Sequence, residues 1–213
     1  MKLIIFDFDG TLADTESLIT QTMQKTIEAL HLEPRSREQC RAMIGLPLKE
    51  TFMRLIPMTD AMGDRCADTY SQIFDRDNRP GVVRLFPHVA DTLAALYAHD
   101  YTLTIATSRH RESLMEFLQG MQIDTYFRYI VTVNDVAQAK PYPDMVLQTM
   151  EHLNIAPADT LMVGDAVYDI QMGHNAGVHT CGVTYGNGTQ ADMVACQADH
   201  IIDDFGQLGS LLL

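Results

Sequence analysis

Leu3-Ile4-Ile5-Phe6-Asp7-Phe8-Asp9-Gly10-Thr11-Leu12 is an apolar run that stops on two acids and a glycine. It predicts a buried strand over Leu3–Phe8 with polar residues at its C-terminal end. Asp7 and Asp9 are two residues apart, so on a strand they point to the same side. Gly10 lets the backbone turn sharply after them. Two carboxylates held this close repel, and burying them together requires a cation or a shared proton. A hard divalent ion with oxygen ligands meets that requirement.

The same design recurs along the chain. Leu103–Ala106 stops at Thr107-Ser108, and Thr160–Val163 stops at Gly164-Asp165. Tyr129–Val133, Val178–Val183 and the shorter His200–Ile202 are further strand candidates. Between them run apolar stripes at helical spacing: Val89, Leu93 and Leu96; Leu114, Phe117 and Leu118; Met145, Val146, Met150 and Leu153. Strands alternating with helices predict an α/β fold, a doubly wound parallel sheet with helices on both faces. Such sheets bind ligands at the carboxyl ends of their strands, where these polar residues fall.

One segment breaks the rhythm. From Thr15 to Gly81 no strand pattern occurs. Leu18, Thr22, Ile27 and Leu30 suit one helix, Cys40–Ile44 a second, and Leu48–Leu55 and Ala67–Phe74 two more, punctuated by Pro34, Pro47, Pro57 and Pro80. The expected division is a core of residues 1–14 and 82–213 with an all-helical inserted domain, 15–81, hinged over the end of the first strand.

Composition narrows the function. The 213 residues carry a formal net charge of −13, which repels nucleic acid and anionic membranes, so neither is an expected partner. An anionic substrate would then need local attraction from a metal and a few cations. Cys40, Cys66, Cys181 and Cys196 are scattered with no CxxC pair, as reduced cytosolic thiols are. The apolar run before Asp7 is too short for a signal peptide or a spanning helix, and the expected location is cytoplasmic. Oligomeric state is not legible.

Three other stretches can carry chemistry. In Gly164-Asp165-Ala166-Val167-Tyr168-Asp169 two acids lie four residues apart where a helix follows a strand; helix capping is the bland reading of either. Lys140-Pro141-Tyr142-Pro143-Asp144 is a stiff loop that can hold a lysine in place, though a lone lysine is usually solvated. Thr107-Ser108 places hydroxyls at a strand end, where they ordinarily cap the next helix.

Taken together, in this order and context, these residues resemble the haloacid dehalogenase-like hydrolase superfamily over nearly the whole chain. The helical insert after the first motif is similar to the group containing phosphoglycolate phosphatase, pyrophosphatase-type phosphatases and beta-phosphoglucomutase. The resemblance implies a phosphatase acting on a small phosphorylated metabolite, with Asp7 as nucleophile and Asp9 as general acid and base. Magnesium would be held by Asp7, the Asp9 carbonyl and Asp165, with Asp169 orienting its ligands. Lys140 would neutralise charge beside Asp7, while Thr107, Ser108 and Gly10 would meet the phosphoryl group. The insert would choose the substrate through Gly45–Glu50, with Arg41 and Lys49 as candidate cations. Gly186 and Gly188 read as turn-makers. A phosphomutase on the same scaffold is the alternative, but where that mutase carries a hinge histidine and an insert arginine, this chain has Ile19 and Leu48. A non-catalytic binding module is a third reading, disfavoured by the intact set of acids, hydroxyl and lysine.

Overall fold

The computed structural model describes residues 1–79 and 81–213; Pro80, one of the prolines read as punctuating the insert, lies outside the described residues. In chain order the strands are β1 (Leu3–Phe6), β2 (Ala13–Asp14), β3 (Arg84–Leu85), β4 (Thr102–Thr107), β5 (Phe127–Thr132), β6 (Thr160–Gly164), β7 (His179–Val183) and β8 (His200–Ile202). The helices are α1 (Glu16–Ala29), α2 (Arg37–Arg41), α3 (Leu48–Leu55), α4 (Asp60–Asp77), α5 (Val89–Ala98), α6 (Arg111–Gly120), α7 (Asp144–Leu153), α8 (Val167–Asn175), α9 (Gln190–Ala195) and α10 (Gln207–Leu212).

Every residue of β1 is buried, because the strand lies in the middle of a parallel sheet. The sheet has six strands among the described residues, in the order β5-β4-β1-β6-β7-β8. Phe6 pairs with Ile105 on one side and Val163 on the other. This is the α/β doubly wound architecture that the alternating pattern implies. The chain builds outward from β1 to β4 and β5, then crosses back to build β6, β7 and β8. The order therefore reverses beside β1, and a crevice opens there at the carboxyl ends of β1, β4 and β6.

The period of two along β1 sorts its side chains onto two cores. Ile4 and Phe6 join the larger core with Leu93 and Leu96 of α5 and Leu114 and Leu118 of α6. Leu3 and Ile5 join the other, with Met145, Val146 and Met150 of α7 and Met172 of α8. Burial on both faces explains why these strands read as continuous apolar runs.

Local chemistry moves several boundaries. The first strand ends at Phe6 rather than Phe8, because the Phe8 carbonyl accepts bonds from the amides of Thr11, Leu12 and Ala13 and the chain turns. The expected helix at Cys40–Ile44 is α2, which starts earlier because Ser36 and Gln39 form a reciprocal capping box. Ala67–Phe74 is the middle of the longer α4, capped by Thr59. β2 and β3 form an antiparallel ribbon, Ala13 opposite Leu85 and Asp14 opposite Arg84. A two-residue strand carries no period, so the pattern could not announce it.

Helices α1–α4 all lie between β2 and β3. They pack over the carboxyl end of β1 through aromatics: Phe74 of α4 meets Phe117 of α6 edge-on at 6.3 Å between centroids. No helix among the described residues is long and apolar enough to cross a membrane. All four cysteines are unpaired thiols.

Candidate active site

Asp7 is the first residue beyond β1, and its amide still donates to Val163 O at 2.9 Å. That bond carries the sheet's alignment into the site. Lys140, from the proline-flanked loop before α7, lies with its Nζ 2.6 Å from Asp7 Oδ1 and 2.7 Å from Asp169 Oδ1. Its side chain is wholly buried, so the two ion pairs are what hold its charge. Burial opposes that charge, but Asp169 and Asp7 outweigh it and the amine titrates above its ordinary value.

Asp165 and Asp169 follow β6. Asp165 Oδ1 accepts from the Thr11 hydroxyl at 3.2 Å; its Oδ2 accepts from the Asn187 amide at 2.6 Å and the Asn187 side chain at 2.8 Å. Asp169 caps the start of α8, accepting from the Ala166 amide at 3.0 Å. So the bland capping reading holds for Asp169 alongside its pairing with Lys140.

Carboxylate oxygens of Asp7, Asp165 and Asp169 lie within 4.8 Å of one another, all three residues buried. Burial pushes the Asp7 carboxyl well above its ordinary value; Lys140 opposes the shift and the neighbouring acids add to it. Burial and then Asp169 push Asp165 up to about 7, against its bonds from Asn187 and Thr11. Lys140 thus pairs with two of the three buried carboxylates and leaves Asp165 without a cation among the described residues, a donor set that suits a hard divalent cation. The Asn187 side-chain oxygen is also buried with no hydrogen-bond partner. These residues fit magnesium.

Gly10 has φ +89°, and a Cβ there would run into the Asp165 carboxylate and the Asn187 amide. Its backbone packs against Asp165, and Gly10 is not among the residues that line the cavity in front of Asp7. Gly186 and Gly188 lie in a bend, as turn-makers do, and neither has a left-handed φ; a Cβ at either would strike Gly10 or Asp165, so close approach requires them as well.

In front of Asp7 and Asp9 opens a cavity of about 570 Å³ between the helical segment and the sheet ends. Thr107 and Ser108 line it, as do Gly45, Leu46 and Leu48 of the expected contact loop. Ile19 lines it as well, an apolar group that can neither donate nor accept a proton. The Ser108 hydroxyl donates to Gly45 O at 2.7 Å, tying β4's end to that loop. Arg41 and Lys49 are not among the lining residues. Arg41 donates to Gly186 O at 2.9 Å, and Lys49 pairs with Asp60 and Asp64 at 2.8 Å each. Acids and a carbonyl on neighbouring elements capture both cations before the cavity can.

The residue that sequence reasoning passed over is Arg109. Its Nε and Nη2 donate to Asp9 Oδ2 and Oδ1 at 3.0 and 2.6 Å, a two-pronged grip on a largely buried carboxylate. Burial opposes the guanidinium charge, yet Asp9 holds it above its ordinary value. The available signal was a cation two residues after Thr107 at a strand end. Asn187 was also missed, hidden between two glycines read as turn-makers.

Comparison with known proteins agrees with this geometry. The family model of haloacid dehalogenase-like hydrolases matches residues 4–183. The probable phosphatase IndB of Dickeya dadantii is 35% identical over 211 residues, covering 97% of this chain and 91% of that protein. The pyrophosphatase PpaX of Anoxybacillus flavithermus is 31% identical over 212 residues, covering 100% and 97%. Among solved structures, a Bacteroides fragilis protein assigned to the haloacid dehalogenase-like hydrolases superposes with a TM-score of 0.92 at 30% identity, covering 97% of this chain and 99% of its own. Fold, buried acids and relatives define a phosphatase. The chain belongs to the haloacid dehalogenase-like hydrolase family.

Proposed function

We propose that this enzyme is a magnesium-dependent phosphatase that hydrolyses a small phosphate monoester through an aspartyl-phosphate on Asp7. The observation that carries the reading is the convergence of Asp7, Asp165, Asp169 and Lys140 in one buried cluster beside the sheet's switch point. Magnesium would be held by Asp7, the Asp9 carbonyl and Asp165, with Asp169 orienting its ligands; when bound it supplies positive charge for the phosphoryl oxygens. Lys140 holds the Asp7 carboxylate in one orientation and offsets part of the charge that the phosphate brings.

In the first step an Asp7 oxygen attacks phosphorus, the bond to the leaving oxygen breaks, and Asp9 gives that oxygen a proton. In the second, Asp9 takes a proton from water, the water oxygen attacks phosphorus, and Asp7 leaves as a free carboxylate. Thr107, on the cavity wall, would offer its hydroxyl proton to a phosphoryl oxygen, and Ser108 would do so on releasing Gly45 O. Residues 15–81 would act as a cap that opens for water and product. Ile19 and Leu48 on the cavity wall support hydrolysis over phosphomutation, since neither can move a proton or grip a second phosphate. Unpaired thiols suit the expected cytoplasmic setting.

Turnover of an aryl phosphate with magnesium tests the reading. A chelator should silence it, magnesium should restore it, and calcium, with its larger and looser shell, should not. Asp7→Asn should fall below about 1% of the parent rate. Full activity in excess chelator would sink the metal assignment, and a surviving Asp7→Asn rate would remove Asp7 as nucleophile.

A further inference from the structure

The cavity in front of Asp7 has two unlike ends. Asp7, Asp9 and Thr107 line it at the sheet. Ile19 and Met23 of α1, Met43 and Leu46 of the stretch before α3, and Leu48 of α3 line it from the helical segment. Those side chains offer no hydrogen-bond donor. With the phosphoryl group at the sheet end, whatever it is esterified to lies against this apolar wall. There is room for it: about 570 Å³ falls within the roughly 300–1,000 Å³ of pockets that enclose a whole small molecule.

The cavity offers no ready partner for a second anion among the described residues. Arg109 is the only Lys or Arg among those that line it. Two of its nitrogens go to Asp9, and Nη1 donates to the Ser113 hydroxyl at 2.8 Å. The Phe74 and Phe117 rings lie 4.9 Å from its guanidinium carbon, and its side chain is 8% exposed. His110 also lines the cavity, with its Nδ1 against the Asn134 side chain. On the helical segment, Arg54 pairs with Glu50 at 2.6 Å, and Arg41 and Lys49 are held away from the cavity. Asp75 of α4 and Glu112 and Glu116 of α6 do line it, exposed and in no ion pair among the described residues. A carboxylate or second phosphoryl on the substrate would give up water, gain no cation and face these like charges.

We infer that the substrate is the phosphate monoester of an alcohol with an uncharged, mainly apolar body, and that phosphates carrying a second anionic group are poor substrates. This rests on the phosphatase reading and names the leaving group that the same site takes. Phosphoglycolate and pyrophosphate fall on the disfavoured side.

A series of n-alkyl phosphates tests the wall, because their leaving oxygens are closely matched. With magnesium, kcat/KM should rise about three- to fourfold per methylene from ethyl to hexyl phosphate, roughly 100-fold in all, as expected when each methylene is buried. Phosphoglycolate against ethyl phosphate, and 4-phosphonooxybutanoate against butyl phosphate, test the charge. The anionic member of each pair should be about tenfold worse or more. Leu48→Ser should cut the hexyl-to-ethyl ratio by about threefold or more. Glu112→Gln with Glu116→Gln, both on the exposed face of α6, should narrow the gap between neutral and anionic esters by about threefold. A flat length series, or an anionic ester used as well as its neutral partner, overturns the inference in the parent enzyme alone. Ratios unmoved by the variants overturn the roles given to Leu48 and to the two glutamates, since a merely structural role lowers both members alike. Failure to turn over even an aryl phosphate with magnesium overturns the phosphatase reading itself, a different result from turnover without preference.

Discussion

Asp9 and Arg109 show how one side chain's chemistry depends on its neighbour. Asp9 stands at the cavity wall, where the proposed mechanism places its acid–base group, and both of its oxygens are held by the guanidinium. Replacing Asp9 with Asn keeps the shape and removes the proton. Asp9→Asn should slow turnover by roughly 10²–10⁴. With a very good leaving group the first step should suffer less, because that oxygen departs without help, and the aspartyl-phosphate should accumulate. Single-turnover quench experiments with good and poor leaving groups read this directly; an equal loss for both counts against the acid role. At this scale Asp7, Asp9 and Asp165 could be picked out from their types and positions at strand ends, and Lys140 from its proline-stiffened loop. Arg109 and Asn187 could not, because their importance lies in partners 100 and 22 residues away along the chain.

The loop from Asp7 to Leu12 is the element on which the site depends. Its turn brings Thr11 to Asp165 and seats Gly10 beneath Asp165 and Asn187. Gly10→Ala would force a side chain into a left-handed backbone and into a carboxylate at once. The expected cost is about 2 kcal/mol or more of stability, with loss of activity as Asp165 is displaced. Urea denaturation measures the first and a turnover assay the second; an unchanged midpoint and rate would remove the close-packing account. Elements with a long period were legible in the sequence. The stripe at Leu48–Leu55 coincides with α3, and the run at Thr160–Val163 lies within β6. The ribbon of β2 and β3 was not, since its pairing joins residues about 70 positions apart in strands too short to repeat.

At the scale of the whole molecule, the helical segment leaves and re-enters through that ribbon, with Asp14 opposite Arg84. Its two ends are thus neighbours, and a short flexible linker can join them. Deleting residues 15–81 should leave a core that still unfolds cooperatively, because β1 and its neighbours, β4 and β6, lie outside the segment. The shortened protein should be less stable, having lost Phe74 from Phe117. Its preference among phosphate esters should flatten, and a selectivity profile identical to the parent's would show that the segment does not choose the substrate. The sequence by itself determined the α/β class and the strand ends that bear Asp7, Thr107 and Asp165, because burial on both faces writes continuous apolar runs and polar stops into the chain. Only the tertiary structure decided that Lys140 joins Asp7 to Asp169, that Arg109 grips Asp9, and that Arg41 and Lys49 turn away from the cavity. A charged side chain goes to whichever opposite charge or carbonyl the fold brings nearest, and that choice is made in space, not along the chain.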